Sequence, residues 1–441
     1  MASRPSLTGF AALLGEKVIQ LAAVAVVNVV VLRALGPSQA GVYGSATALL
    51  AMALPLALFG QLAVVRYLVR TDDTKRLLSI ALGLSAAGSV LGAAVLVLIA
   101  LFAHERGETP VLLLVLSLAM LVRPLSAFDA WFQASRLNHW AAAARISSVL
   151  VSSVLRIYVA STSESLVALA WVIVLENLLA GVLLIIFFIV LQRGNQAKVN
   201  AAAADDVREA HPLRGIFSMS VPLLVSGLAV ILYMRIDQPL LLWLDGSSSA
   251  GLYSAAANLS DAASFVPSAL LTAVLPGLVF LAARDRMVFL ERSRRFVHLV
   301  SAGAFGVAVI GVVCSPMIVS VLYGSNYAKT GLLLQILFLG APFQFLGVMR
   351  NIWVVSDGLQ RDVLYLSIAT VCLNVAANLV LIPIGGSVAA AWVTVASHAL
   401  NGVFGGLVFR SLRPMSRELV RALSPLAWGR TVFRVARERR I

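Results

Sequence analysis

Apolar positions along this chain are gathered into long runs that contain hardly a charge. Residues 82–103, "LGLSAAGSVLGAAVLVLIALFA", and 166–191, "LVALAWVIVLENLLAGVLLIIFFIVL", are two of them. A helix rises 1.5 Å per residue, so roughly 20 apolar residues cross the ~30 Å hydrocarbon layer of a membrane. Reading every such run predicts twelve spans, near 8–32, 42–65, 78–103, 110–133, 140–160, 165–192, 216–243, 252–282, 296–323, 330–355, 362–383 and 386–410. The longest polar interruption, Arg193 to Gly215, falls after the sixth. The expected plan is an all-α polytopic membrane protein. It has a six-helix lobe at 1–192, a cytoplasmic linker at 193–215, a second six-helix lobe at 216–410 and a basic amphipathic tail at 411–441.

Composition agrees. Charged residues make up 12% of the 441 and the mean hydropathy is +0.94, against about 25% charged in a soluble chain. Cys314 and Cys372 lie inside apolar runs and read as small buried hydrophobes. The first apolar run is long enough to remain as a span, so no cleavable leader is expected.

Charge placement gives orientation. With the N-terminus in the cytoplasm, the inward loops hold Arg66, Arg70, Lys75, Arg76, Arg136, Arg193, Lys198, Arg208, Arg214, Arg284, Arg286, Arg292, Arg294, Arg295 and Arg361, and the tail adds nine arginines from Arg410 to Arg440. The outward loops hold little beyond Arg33, Arg106 and Lys329. This asymmetry predicts both termini inside. It also accounts for most of the net charge of +14, so no nucleic-acid partner is expected. The tail, with Leu419, Leu423, Leu426, Trp428, Val432 and Phe433 among its arginines, suits the surface of an anionic inner leaflet.

The two halves repeat. "LGPSQAGVYGSATALL" (35–50) and "DGSSSAGLYSAAANLS" (245–260) align at a shift of 210, matching Gly36 to Gly246, Gly41 to Gly251 and Tyr43 to Tyr253. A parallel repeat of two bundles is a common transporter plan, with the site between them and rocking to expose it alternately.

Charges within spans are costly, about 2.5–3.5 kcal/mol each on the lenient insertion scale, and usually face a cavity or a partner. The cations are Lys17, Arg123, Arg145, Arg235 and Arg350; the carboxylates are Glu16, Asp129, Glu176, Asp237 and Asp261. Amides at Asn28 and Gln238 fall at matching repeat positions. Arg66 and Arg156, near span ends, are expected to snorkel to headgroups. Asn374 and Asn378, one turn apart, read as helix-to-helix glue, and His398 as a hydrogen-bonded helix contact or a proton carrier. Arg235 and Asp237 are separated by about 200° on a helix, so they cannot pair with each other. Buried cations suit an anion such as a phosphate better than a cationic drug. The chain has no P-loop, H-E-x-x-H or C-x-x-C motif and no large outward loop, so it is not expected to be an enzyme or to carry a cofactor or metal.

"RALGPSQAGVYGSATALLAMALPLALFGQLAVVRYLVR", "YMRIDQPLLLWLDGSSSAGLYSAAANLS", "VLYGSNYAKTGLLLQIL" and "CLNVAANLVLIPIGGSVAAAWVTVASHAL" together resemble segments of the polysaccharide transporter family, flippases of lipid-linked oligosaccharides. The resemblance implies a twelve-helix, two-lobed exporter. Such a protein carries an undecaprenyl-pyrophosphate-linked oligosaccharide from the inner to the outer leaflet of the bacterial cytoplasmic membrane for O-antigen, capsule or exopolysaccharide synthesis. Its partners would be membrane lipids and, in the pathway, a polymerase and a chain-length regulator. On that reading Arg123, Arg145, Arg235, Arg350, Lys17, Gln238 and Asn28 line the substrate path, while Asp237, Asp261 and Glu176 are counter-ions or proton/sodium coupling sites. The rival readings are an ion-coupled exporter of the multidrug and toxic compound extrusion type, a membrane glycosyltransferase or ligase, and the lipid II flippase branch, which normally has two further helices.

Overall fold

The computed structural model of the chain describes residues 7–69, 74–103, 107–135, 137–163, 165–200 and 212–426, together with Trp428. Residues 201–211 of the expected linker and the tail beyond Trp428 lie outside the described residues. So do the side chains of residues 7–23, Lys17 and Glu16 among them.

The described residues are helical throughout, in the order α1 (Leu7–Ala57), α2 (Gln61–Leu68), α3 (Thr74–Phe102), α4 (Thr109–Val122), a 3-10 turn (Arg123–Phe128), α5 (Asp129–Ala134), α6 (Asn138–Thr162), α7 (Leu166–Asn200), α8 (Pro212–Arg235) and α9 (Asp237–Leu244). There follow α10 (Ser247–Ala263), α11 (Phe265–Arg284), α12 (Arg286–Leu322), α13 (Ala328–Leu339), α14 (Ala341–Met349), α15 (Asn351–Asp357), α16 (Gln360–Ala399) and α17 (Arg413–Ala422). Among the described residues nine helices are long and apolar enough to cross a membrane, and a pair bent by 41°, Ser325–Leu339 with Ala341–Asp357, makes a tenth. Two of the nine, α1 and α16, are each two helices joined at a glycine with positive φ, Gly36 (+69°) and Gly386 (+55°). Separating them gives twelve spans. Side chains such as Ile384 (80% exposed) and Val313 (72%) face the outside, where lipid rather than water is the solvent.

The chain divides into two compact units, one of residues up to Ile231 less Gly36–Gly41, the other of Gly36–Gly41 and Leu232 onward. In the first unit, Phe132 and Trp131 of α5 pack with Ala141 and Ala144 of α6 and Leu184 of α7. Trp131 also meets Phe188 edge-on with ring centres 5.0 Å apart. In the second unit, α17 lies with Met415, Leu419 and Ala422 buried. Ser301 of α12 donates to the Ala422 carbonyl at 2.6 Å, and Arg294 pairs with Glu418 at 2.9 Å. The apolar side of α17 is thus covered by protein rather than by lipid. Its outer face carries the exposed Arg413, Arg417 and Arg421.

Two sequence expectations are corrected. Cys372 is exposed and Cys314 only half-buried: an apolar span needs no protein cover for a thiol that lipid can surround. Arg156 does not snorkel, as described below.

The repeat is visible in the backbone. Gly36 (φ +69°, ψ 169°) and Gly246 (φ +94°, ψ 171°) adopt the same conformation, one that L side chains rarely take. Five residues on, both copies carry a helical glycine, and within the second unit these face each other across main chain. A Cβ on Gly41 would strike the Ser247 carbonyl oxygen, and one on Gly251 the Pro37 carbonyl oxygen. Ser38 and Ser247 hydroxyls close the contact at 2.8 Å. Overpacking a close contact costs typically ~1–3 kcal/mol. Gly251→Ala is therefore expected to lower the melting temperature of the purified protein, whereas Gly303→Ala, with open space around its Cβ, leaves it unchanged.

Candidate functional site

In the second unit the helix breaks where the charges lie. α8 ends at Arg235 and α9 begins at Asp237, with Ile236 between them. The two side chains take different partners. Arg235 pairs with Asp261 of α10 at 3.0 Å, each side chain still partly exposed at 26% and 29%. Asp237 is buried and accepts from three donors: Tyr253 OH at 2.8 Å, Asn378 Nδ2 at 2.6 Å, and the Thr394 hydroxyl. A second layer holds these donors. Asn378 Nδ2 also reaches Asn374 Oδ1 at 3.1 Å, and Asn374 Nδ2 donates to Ser397 Oγ at 2.9 Å. Asn374 thus ties the two arms of α16 together, and Asn378 reaches the carboxylate, which their spacing alone did not predict. Among the described residues no cationic side chain pairs with Asp237.

Tyr253 and Thr394 stand 2.7 Å apart, with one side of the pair on Asp237. On the other side is a cavity of about 20 Å³ lined by Met234, Asp261, Gln344 and His398, room for about one water. His398 makes no hydrogen bond among the described residues, contrary to expectation, and meets Tyr233 edge-on at 6.1 Å. Gln238, next to Asp237, is buried.

Arg350 lies at the junction of α14 and α15 and is buried. Its Nη1 donates to the main-chain oxygen of Asn401 and lies 3.4 Å from Asn401 Oδ1, while its Nε is buried without a partner. The sequence builds this contact from two features. α16 runs into a π turn at Leu400–Phe404, whose wider hydrogen-bond ring releases carbonyls from the α pattern. Gly347 and Gly402 let the two backbones approach, since a Cβ on Gly402 would strike the Phe343 carbonyl. No carboxylate pairs with Arg350 among the described residues.

In the first unit, Arg123 opens the 3-10 turn after α4 and is half-buried, with a buried, unpartnered Nε. Arg145 pairs with Asp129 at 2.7 Å. Arg156, expected at the headgroups, instead bonds Glu176 at 2.5 Å with 16% of its side chain exposed; Ser152 donates to the same carboxylate oxygen at 2.7 Å. A carboxylate one helix away outcompetes the interface because in hydrocarbon both charges would otherwise be unpaired. Buried Tyr43 lies within electrostatic reach of both. Asn28 is half-buried.

The arginines therefore fall into two classes. Arg145, Arg156 and Arg235 form ion pairs with carboxylates; Arg123 and Arg350 form none among the described residues, although Glu176 lies within electrostatic reach of Arg123. Arg156, Tyr253, Asn378 and Thr394 were not singled out as site residues from sequence. One sequence signal reaches Thr394. "VALAWVIVLENLLAG" (167–181) and "VAAAWVTVASHALNG" (388–402) are identical at eight of fifteen positions at a shift of 221. This pairs Glu176 with Ser397 and Ile173 with Thr394.

The fold is shared with solved transporters. An inward-facing multidrug resistance MATE family transporter of the MOP superfamily superposes with a TM-score of 0.69 at 14% identity, covering 92% of this chain and 96% of the other. Lipid II flippase MurJ in an inward closed conformation gives 0.60 at 12% identity, covering 92% and 90%. A MOP superfamily transporter from Pyrococcus furiosus Vc1, described by the reverse polarity of its binding pocket, gives 0.56 at 14% identity, covering 93% of each chain. No curated protein matches the chain in sequence. A family model described as polysaccharide biosynthesis protein matches residues 6–280, well over half of the sequence, and the chain belongs to that family.

Proposed function

We propose that this protein is a flippase that moves an undecaprenyl-pyrophosphate-linked oligosaccharide from the inner to the outer leaflet of the bacterial cytoplasmic membrane by alternating access. It serves O-antigen, capsule or exopolysaccharide synthesis, where a polymerase and a chain-length regulator act on what it delivers. The observation that carries this reading is that two intramembrane guanidinium groups, Arg123 and Arg350, have buried, unpartnered Nε–H groups and form no ion pair among the described residues; Glu176, which lies within electrostatic reach of Arg123, is already bonded to Arg156. An unpaired buried cation is costly. A pyrophosphate supplies the acceptor oxygens that a guanidinium fork recognises best. Arg145 and Arg235 are already neutralised by carboxylates and act as structural clasps or as weaker contacts. Gln238 and Asn28 offer amides to sugar hydroxyls, and Lys17 adds a cation to the path.

Asp261 and Glu176 are counter-ions in this scheme. Asp237 is the coupling group: a carboxylate that pairs with no cationic side chain among the described residues, held by one amide N–H and two hydroxyls, and able to take a proton or, with the hydroxyl oxygens beside it, a sodium ion. A multidrug exporter would need an open, net acidic site for a cationic drug. The carboxylate free of a cation is sealed behind Tyr253, Asn378 and Thr394, which favours the flippase.

The test is reconstitution. Proteoliposomes carrying undecaprenyl-pyrophosphate-linked oligosaccharide are expected to expose the sugar to an external lectin faster with the protein than without it, and to take up no cationic dye. Dye transport without flipping would make the protein a multidrug exporter. Sugar transfer by the purified chain would make it a ligase.

A further inference from the structure

The two units carry the same polar contact with different charge. Within the first, Ser152 of α6 reaches Glu176 of α7 at 2.7 Å; within the second, Asn374 reaches Ser397 between the arms of α16 at 2.9 Å. Glu176 and Ser397 correspond at the shift of 221, and Ser152 and Asn374 at 222. One turn beyond those donors stand Arg156 and Asn378, also 222 apart. Each reaches its own unit's carboxylate: Arg156 to Glu176 at 2.5 Å, Asn378 to Asp237 at 2.6 Å. Tyr253 of the repeated turn donates to Asp237 at 2.8 Å, and its counterpart Tyr43 is buried within electrostatic reach of Arg156 and Glu176. The carboxylate has moved from one span to another between the halves, since Asp237 corresponds to Val27. The cluster has not moved. One copy encloses a guanidinium, and the other encloses neutral donors around a carboxylate with no cation among the described residues.

We propose that Arg156 is a tethered cation: it occupies, in the first unit, the position that the second unit leaves for an exchangeable monovalent cation at Asp237. The first unit's site is then permanently filled, and ion exchange is confined to the second. This rests on the reading of Asp237 as the coupling group. Its specific content is that Arg156, which bonds Glu176 directly while Arg123 reaches it only electrostatically, is what prevents Glu176 from holding an ion. With the guanidinium gone, Glu176, Ser152 and the amide oxygen of an introduced asparagine present the oxygen ligands that sodium prefers.

The experiment is sodium binding by the purified full chain, with radioactive sodium as probe and choline chloride as the ionic-strength control. The parent is expected to bind one sodium per chain and Asp237→Asn none. The double variant Arg156→Asn/Asp237→Asn regains one, and adding Glu176→Gln loses it again. Arg156→Lys/Asp237→Asn keeps a tethered cation and is expected to bind none. The double variant should melt at a higher temperature in sodium than in choline. If it folds in neither salt, or folds equally in both and binds no sodium, the tethered-cation proposal is overturned. If the parent binds no sodium but the double variant does, the sodium reading of Asp237 fails while the proposal for Arg156 stands.

Discussion

Arg350→Met is expected to leave the protein about as stable as the parent while lowering surface polysaccharide at least about tenfold at matched protein levels. The first half follows from what surrounds the guanidinium. Its only bonds among the described residues go to Asn401, its Nε is buried without a partner, and no carboxylate among those residues pairs with it. Withdrawing an unbalanced charge from water costs several kcal/mol, whereas losing the bond to Asn401 costs about 1–3 kcal/mol. A methionine of similar length removes both terms. The second half follows if the unused N–H and the charge meet a pyrophosphate. A charge-assisted hydrogen bond contributes ~1.5–3 kcal/mol, which converts to roughly ten- to a hundredfold in binding. Arg350→Lys separates charge from shape: partial export means that charge suffices, and none means that the planar fork is needed. Full export by the Met variant would remove Arg350 from the substrate path. A large drop in melting temperature would make it a structural residue of the π turn.

The contrast between Arg350 and Arg235 marks how far sequence reading reaches. Span number was legible because it depends on run length alone. The glycine turns were legible because two copies 210 residues apart need the same backbone, and Gly36 and Gly246 take it. That Arg235 and Asp237 would part company was legible from helical rotation. Which partner each would find was not. Pairing depends on which helices pack side by side, and a hydrophobic period carries little of that when all faces of a span are apolar. Arg156 shows the consequence: its distance from the span end suggested headgroups, but the carboxylate of Glu176 on the next helix captures it at 2.5 Å. Arg350 needed still more, a π turn and a close Gly347–Gly402 approach, neither of which has a local sequence signature. The same holds for α17, whose amphipathic pattern fits a lipid surface and a protein groove equally well.

Asp237→Asn is the second large effect expected, and it should appear in coupling rather than in substrate recognition. In proteoliposomes the parent is expected to flip lipid-linked oligosaccharide faster when an ion gradient is imposed. The variant should equilibrate it slowly and at the same rate with or without the gradient. The carboxylate accepts from Tyr253, Asn378 and Thr394 at once, and it can do so because both of its oxygens are acceptors. An asparagine turns one acceptor into an NH₂ that faces a donor, at a cost of about 1–3 kcal/mol for the polar group left unsatisfied. Some loss of stability is therefore expected as well, and it has to be separated from loss of coupling. Thr394→Val does so. It removes one of the three donors and leaves the carboxylate charge in place, so it should weaken the site and shift the gradient dependence to higher ion concentration without abolishing it. If the ion is a proton, replacing sodium by choline will leave the parent's rate unchanged and collapsing the pH gradient will lower it; if it is sodium, the two responses exchange. An Asp237→Asn variant that keeps the full gradient response would assign the carboxylate to helix packing alone. The driving affinity difference would then have to be sought at the ion pairs, where Asp261 and Arg235 are both partly exposed.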